Sequence, residues 1–128
     1  MRAMILLVLM LLPAQASAFL ARNGMTAHGS GPADIVVDYR AGRLDTDYWC
    51  AAGDYARRVL GLAGDTRLWR ASPKPRGAGQ GIVFTLDETR KADGAGLSHF
   101  GAGPRDGSIS VGMAVGSHCR LIQPLWND

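Results

Sequence analysis

The first eighteen residues differ from the rest of the chain in their hydrophobic pattern. One basic residue, Arg2, precedes an unbroken apolar run from Met4 to Leu12, and Pro13 ends that run. Small residues (A-S-A) occupy positions 16–18. This order of basic, apolar and small residues is typical of a cleaved secretory signal peptide, which we predict over 1–18. The apolar run is much shorter than the ~20 residues that a membrane-spanning helix needs.

Removal of this leader would start the mature chain at Phe19, with export to the periplasm or the medium. The alternative, an uncleaved N-terminal anchor, fits Pro13 and the small residues after it less well. Residues 19–32 are rich in glycine, alanine and small polar residues, which predicts a flexible N-terminal arm. The remainder, 33–128, has the size of a single domain.

A helical period predicts one helix over 47–60. Asp45 or Thr46 is placed to cap its start, and Gly61 is placed to end it. At about 100° per residue, aromatic, aliphatic and small residues share one face and charged residues point away from it. The first group is Trp49, Ala52, Gly53, Ala56, Val59 and Leu60; the second is Asp54, Arg57 and Arg58.

Strand patterns occur in four segments. β-Branched residues predict a strand over 33–39, and a turn over 40–43 follows it. Segments 66–71 and 82–86 predict a hairpin whose long connection, 72–81, is rich in proline and glycine. Apolar residues alternate over 108–117, which predicts a last strand that continues toward residue 122. The Gly-rich segment 88–107 has no convincing period.

These elements together predict an α+β domain. One helix, at about 47–60, would pack on the apolar face of a mostly antiparallel sheet of about four strands.

The two cysteines, Cys50 and Cys119, are predicted to form a disulfide, because export would place them in an oxidising compartment. This bond would connect the helix to the last strand. The alternative is a reactive or metal-binding thiol at Cys50, near the start of the helix. No C-x-x-C motif supports that alternative.

Composition and charge exclude several classes of protein. With 128 residues and 47% hydrophobic residues, neither a multidomain enzyme nor a disordered chain is expected. Because Arg2 leaves with the leader, the formal charge of +3 falls to +2, which gives only weak general attraction for anions.

Candidate catalytic residues are few. The chain has no G-x-S-x-G, H-E-x-x-H, phosphate-loop or EF-hand motif, and we expect neither a cofactor nor a metal. The three histidines are His28, His99 and His118. A small secreted nuclease-like hydrolase would need His99 and His118 to share a cleft with Arg105 or Asp106.

Basic residues suggest a second kind of site. The predicted hairpin carries Arg67, Arg70, Lys74 and Arg76, and the Gly-rich segment carries Arg90, Lys91 and Arg105. If both loops lie at one end of the domain, they form a cationic rim for phosphate, nucleic acid or acidic glycan. The anion-binding candidates are Arg70, Lys74, Arg76 and Arg105. The competing interpretation is an ordinary solvated hairpin.

The segment Tyr48-Trp49-Cys50-Ala51-Ala52-Gly53-Asp54-Tyr55 resembles a segment of small exported proteins of alphaproteobacteria. The resemblance covers about half of the mature chain when the strand ending in Phe84-Thr85-Leu86 is included. It implies an exported single domain with a cysteine near the start of the helix, and it implies no catalytic residue. Because the chain has no catalytic signature beside a well-specified scaffold, we expect a non-enzymatic interaction domain that contacts an envelope protein or a polyanion. The hydrolase and the anion-binding module are the alternatives.

Overall fold

The structure is a computed structural model that describes residues 18–92 and 107–119. In these residues the chain forms two helices and a six-stranded antiparallel sheet. In chain order the elements are β1 (Phe19–Leu20), β2 (Thr26–Ser30), β3 (Asp34–Val37), α1 (Asp45–Arg58), β4 (Arg67–Arg70), β5 (Ile82–Thr85), a 3-10 turn (Glu88–Arg90), β6 (Ile109–Ser110) and α2 (Val111–His118). The strand order is β1-β2-β3-β5-β4-β6. The predicted α+β class is confirmed, with one helix and two strands more than expected.

Some predictions concern residues outside this description. They are the leader as far as residue 17, the Gly-rich segment over 93–106 and the continuation of the last strand beyond residue 119.

The centre of the sheet forms where the sequence predicts it. Strand β3 pairs antiparallel with β5, placing Ile35 opposite Phe84 and Val37 opposite Ile82, and all four side chains are fully buried. Strand β4 pairs with the other side of β5 and completes the predicted hairpin. Since side chains alternate along a strand, these apolar residues share the face on which α1 packs.

The predicted flexible arm over 19–32 is wrong, because it contains β1 and β2. Ala27 of β2 lies opposite Val37 of β3, and Phe19 of β1 lies opposite Ala27. Met25 and Ala27 are fully buried. The small residues of β2 carry little β-propensity of their own, so its pairing depends on β3, which becomes adjacent only in the folded chain.

Helix α1 begins two residues before the predicted start. The Asp47 carboxylate accepts the Leu44 N–H at 2.9 Å, so neither Asp45 nor Thr46 is the capping residue. The helix ends at Arg58, and Gly61 follows with a φ of +66°, as its predicted role requires.

The apolar face of α1 reaches the sheet through its aromatic residues. Tyr48 and Trp49 are fully buried, and the Trp49 ring lies 4.6 Å from the Phe84 ring.

Two features of the predicted helix face are corrected. Asp54 does not point into solvent: it is 1% exposed and accepts hydrogen bonds from the Arg22 N–H and from Arg58. Val59 and Leu60 were expected on the apolar face but are 49% and 42% exposed. They lie beyond the last helical residue, Arg58, so the helical period does not extend to them.

The predicted last strand over 108–117 is also wrong. Only Ile109–Ser110 form a strand, and Val111–His118 form α2. The Ser110 hydroxyl accepts the Met113 N–H at 3.1 Å and caps the helix. Val111, Ala114 and Val115 are buried at helical spacing. Apolar residues alternate in this segment as in a strand. The glycine and alanine residues between them fit the helical period as well, so the alternation did not distinguish a strand from a helix.

The predicted disulfide between Cys50 and Cys119 is confirmed, with a Cα–Cα distance of 4.8 Å. It connects α1 to the residue that follows α2, not to a last strand. The two helices are in close contact, because a Cβ on Gly53 would lie only 2.6 Å from the Ala114 Cβ. Cys50 precedes Gly53 whereas Cys119 follows Ala114, so the helices run antiparallel.

None of the helices in the described part of the chain is long and apolar enough to cross a membrane.

Candidate basic binding surface

The sheet topology brings three connections to one end of the domain. Strands β3 and β4 end there and strands β2 and β5 begin there, as their registers require. The connections are residues 21–25, 38–44 and 71–81. They carry five basic residues (Arg22, Arg40, Arg43, Lys74 and Arg76) and one acidic residue, Asp38. We call the surface formed by Arg40, Arg43, Lys74 and Arg76, with Tyr39, the basic end.

Arg40 and Arg43 converge on the tight turn at Gly24. Arg40 Nη1 donates to the Gly24 carbonyl oxygen, and Arg43 Nη2 donates to the Asn23 carbonyl oxygen at 2.9 Å. A Cβ on Gly24 would lie 3.6 Å from Arg40 Nη1 and 3.8 Å from Arg43 Nη2. The sum of these distances, 7.4 Å, is therefore the largest separation that the two nitrogens can have.

The two guanidinium groups have no carboxylate partner among the described residues. Neither forms a salt bridge there, whereas Asp38 bonds to Thr26 and lies 3.7 Å from His28, and Asp47 caps α1. At this largest separation of about 7 Å two unit charges repel by about 0.6 kcal/mol in water and about 2 kcal/mol near a protein surface, and closer groups repel more strongly. An anion between them would offset this repulsion by attracting both groups.

The Arg76 side chain is held between two tyrosine rings. Its Cζ lies 5.3 Å from the centroid of Tyr39 and 5.0 Å from that of Tyr48. Nη1 donates to the Gln80 carbonyl oxygen at 3.1 Å. Such cation–π contacts fix a guanidinium without neutralising it. The Tyr39 ring, 46% exposed, makes an aromatic surface next to the positive charge.

Arg70, an expected anion-binding residue, has a structural role instead. Its side chain is fully buried, and Nη1 lies 3.2 Å from Oδ2 of Asp45 at the start of α1. Nε donates to the Ser72 carbonyl oxygen and Nη2 to the Pro73 carbonyl oxygen. Arg70 therefore holds the 71–81 connection against α1, and a ligand in solvent does not reach it.

The remaining candidates are divided between the two ends. Lys74 lies half-buried in the 71–81 connection, as expected, and Arg105 lies outside the described residues. Arg67, at the start of β4, lies opposite Ser110 at the other end. Arg90 and Lys91 do not join the basic end, because they pair with Asp34 and Glu88. Among the described residues, the rim consists of 38–44 and 71–81, and the part of the expected rim over 93–106 lies outside them.

A depression lies at the end of the sheet opposite the basic end. It has a volume of about 380 Å³ and is lined by the β2–β3 turn with Asp34, Asp87 and Arg90. The Thr89 hydroxyl and N–H donate to the Asp87 carboxylate and lower its pKa, with a smaller effect of Arg90 in the same direction. Arg90 is the one basic residue that lines this depression, and its guanidinium group already pairs with the Asp34 carboxylate.

The histidine pair proposed for a hydrolase is not brought together by the described residues. His118 is the last residue of α2, while His99, Arg105 and Asp106 lie outside them. His28 lies on β2 beside Asp38. Within residues 18–92 and 107–119, no group of three His, Cys, Asp or Glu side chains is placed to hold a metal ion.

Sequence reasoning missed Arg40 and Arg43, which it assigned only to a turn. Their position in the sequence could have indicated a binding role. The R-A-G-R segment connects a strand to a helix, and side chains of such connections converge at one end of a sheet. Arg40 and Arg43 contact residues 23–24 only because β2 pairs with β3. The prediction of a flexible arm over 19–32 contained no strand, so it did not allow for this contact.

Comparison of the chain with known proteins found no relative. No family model matches the chain, and no match was found among curated proteins or solved structures. The resemblance of residues 48–55 to exported alphaproteobacterial proteins stays a prediction.

Proposed function

We propose that this protein is an exported, disulfide-bonded domain that acts by binding, and that its basic end captures an anionic partner. The observation that carries the proposal is the convergence of Arg40 and Arg43 on Gly24, where their side-chain partners within residues 18–92 and 107–119 are backbone carbonyls. The leader pattern over 1–18 and the Cys50–Cys119 bond support the exported setting.

The evidence for an anionic partner comes from where the charges lie on the domain and much less from the net charge. A formal charge of +2 after loss of the leader is small. Its distribution is uneven, because the three connections at the basic end carry five basic residues and one acidic residue. Locally focused charge of this kind attracts polyanions and makes their affinity dependent on salt.

The rigidity of the surface supports binding as well. Arg43 is bonded to the Asn23 carbonyl, and Arg76 is packed between Tyr39 and Tyr48. Side chains that are already ordered lose less conformational entropy when a ligand binds. The buried Arg70 side chain, paired with Asp45 and bonded to the Ser72 carbonyl oxygen, fixes the connection that carries Lys74 and Arg76.

Substitution of both converging arginines is expected to weaken polyanion binding. In the variant Arg40→Gln/Arg43→Gln, affinity for a fluorescein-labelled heparin oligosaccharide should fall about tenfold, since each arginine supplies a charge-assisted contact. The slope of log K against log salt should shrink by about two, one for each lost charge contact. Fluorescence anisotropy at several salt concentrations measures both quantities.

The matched control is Arg57→Gln/Arg67→Gln. It removes the same charge from two exposed residues away from the basic end, Arg57 in the last turn of α1 and Arg67 at the start of β4. Its affinity should stay within about twofold of the wild type. Equal losses in the two double variants would show that net charge alone matters and would refute the proposed surface.

A further inference from the structure

We propose that Arg40 and Arg43 form a clamp for a single tetrahedral oxyanion, a phosphate or sulfate group carried by the ligand. This rests on the proposed function, since it names the chemical group that the basic end recognises. A general basic surface would bind anions diffusely, whereas a clamp binds one group at one place with a defined stoichiometry.

The spacing of the two side chains fits one such group. Arg40 Nη1 and Arg43 Nη2 are at most 7.4 Å apart, because both lie near the position of a Cβ on Gly24. Charge-assisted hydrogen bonds from guanidinium groups are about 2.8 Å long. An oxyanion a few ångströms wide therefore reaches both groups at once.

Enough donors remain for this role. A guanidinium group has about five N–H donors, and toward the described part of the chain each of these arginines uses one of them, on the carbonyl oxygen of Gly24 or Asn23. The carbonyls fix the position of each planar fork and leave its other N–H groups for the ligand. Forks held in this way favour the bidentate recognition of phosphate and sulfate oxygens.

The turn at residues 21–25 keeps this place open. Gly24 has a φ of +81°, and it carries no side chain where the guanidinium groups converge. The two nearby carboxylates do not occupy the place as internal anions. Asp38 bonds to Thr26 Oγ1, and Asp47 accepts the Leu44 N–H at the start of α1.

The test compares arginine with lysine at these two positions. The variant Arg40→Lys/Arg43→Lys keeps both charges and loses both planar forks. We expect inorganic phosphate and inorganic sulfate to titrate the wild type saturably, with one site per chain, in amide NMR spectra. The lysine variant should bind them at least about tenfold more weakly, and Arg57→Lys/Arg67→Lys should match the wild type. All proteins are expressed from the full-length sequence, and their amide spectra report whether they fold.

A second arm identifies the source of the oxyanion. Vesicles that contain phosphatidic acid in phosphatidylcholine are compared with pure phosphatidylcholine vesicles by cosedimentation. Retention on the phosphatidic acid vesicles that free phosphate competes away supports a clamp used on a lipid headgroup. Saturable binding of inorganic phosphate without vesicle retention supports a clamp used on a soluble ligand.

The outcome that overturns the clamp differs from the one that overturns the proposed function. If heparin binds in a salt-dependent manner but the lysine variant binds phosphate and sulfate as well as the wild type, the clamp is refuted and the basic surface remains. Phosphate titration that never saturates has the same meaning. If heparin does not bind even at low salt, the proposed function itself is refuted.

Discussion

Removal of the disulfide by Cys50→Ala/Cys119→Ala is expected to destabilise the domain by about 4 kcal/mol. The bond closes a loop with a sequence separation of 69 residues, so its loss restores much conformational entropy to the unfolded chain. This is a large part of the roughly 5–15 kcal/mol that stabilises a typical domain. Urea unfolding followed by circular dichroism should show the midpoint falling by about 2–3 M, for an m-value near 1.5 kcal/mol/M.

The wild type in the presence of a reductant is the control for this prediction. It keeps both sulfur atoms and loses only the cross-link, which separates the effect of the bond from the effect of truncating Cys50, a fully buried side chain. The reduced wild type and the alanine variant should unfold at similar urea concentrations. An unchanged midpoint in both would contradict the predicted entropic contribution of the bond.

The second prediction concerns the contact between the two helices. Gly53→Val is expected to cost about 3 kcal/mol, at the upper end of the range for overpacked cores. A Cβ at this position would lie 2.6 Å from the Ala114 Cβ and 3.4 Å from Val115 Cγ2. Helix α2 would have to move away from α1, while the Cys50–Cys119 bond opposes that movement. Urea unfolding again gives the free energy.

Gly116→Ala provides the matched control, because it also adds a side chain to a helical glycine of this helix pair. A Cβ there would meet no atom of the described residues within 4 Å, so the alanine should stabilise α2 by about 0.5–1 kcal/mol through its higher helix propensity. The pair Gly53→Ala/Ala114→Gly moves the methyl group to the other helix and should recover stability lost in Gly53→Ala. A Gly53→Val protein as stable as the wild type would contradict the close packing.

The elements predicted correctly are those whose pattern has one interpretation. In 82–86, consecutive apolar and β-branched residues fit only a buried strand, and Phe84 lies in the core. In α1, the helical period and Gly61 place the helix to within two residues at either end. The disulfide followed from the predicted leader and the number of cysteines, which are properties of the whole chain and need no contact to be known.

The elements predicted wrongly depend on contacts between distant residues. Strand β2 has only small and polar residues and forms because β3 lies beside it. Helix α2 is short, and its small residues fit two periods, so Ser110 as a cap and the contact with Gly53 decide the outcome. Neither contact is visible in a local pattern.

The candidate site was predicted only in part for the same reason. Lys74 and Arg76 lie on the basic end as expected, but Arg70 is buried by an ion pair with Asp45, a residue of another element. Arg40 and Arg43 gain their role from the turn at Gly24, which reaches them through the β2–β3 pairing. The candidate site lies on two connections, 38–44 and 71–81, and the sequence pointed only to the second of them.

Mapping the binding surface by amide NMR is the most direct test of the central claim, that the basic end is where this protein binds an anionic partner. A heparin oligosaccharide is added in steps to the labelled protein at low salt. We predict that the largest shifts occur in residues 22–25, 38–44 and 71–80, and that they disappear at high salt. Shifts confined to the opposite end of the sheet, around residues 30–34 and 87–91, or no shifts at all, would contradict the account.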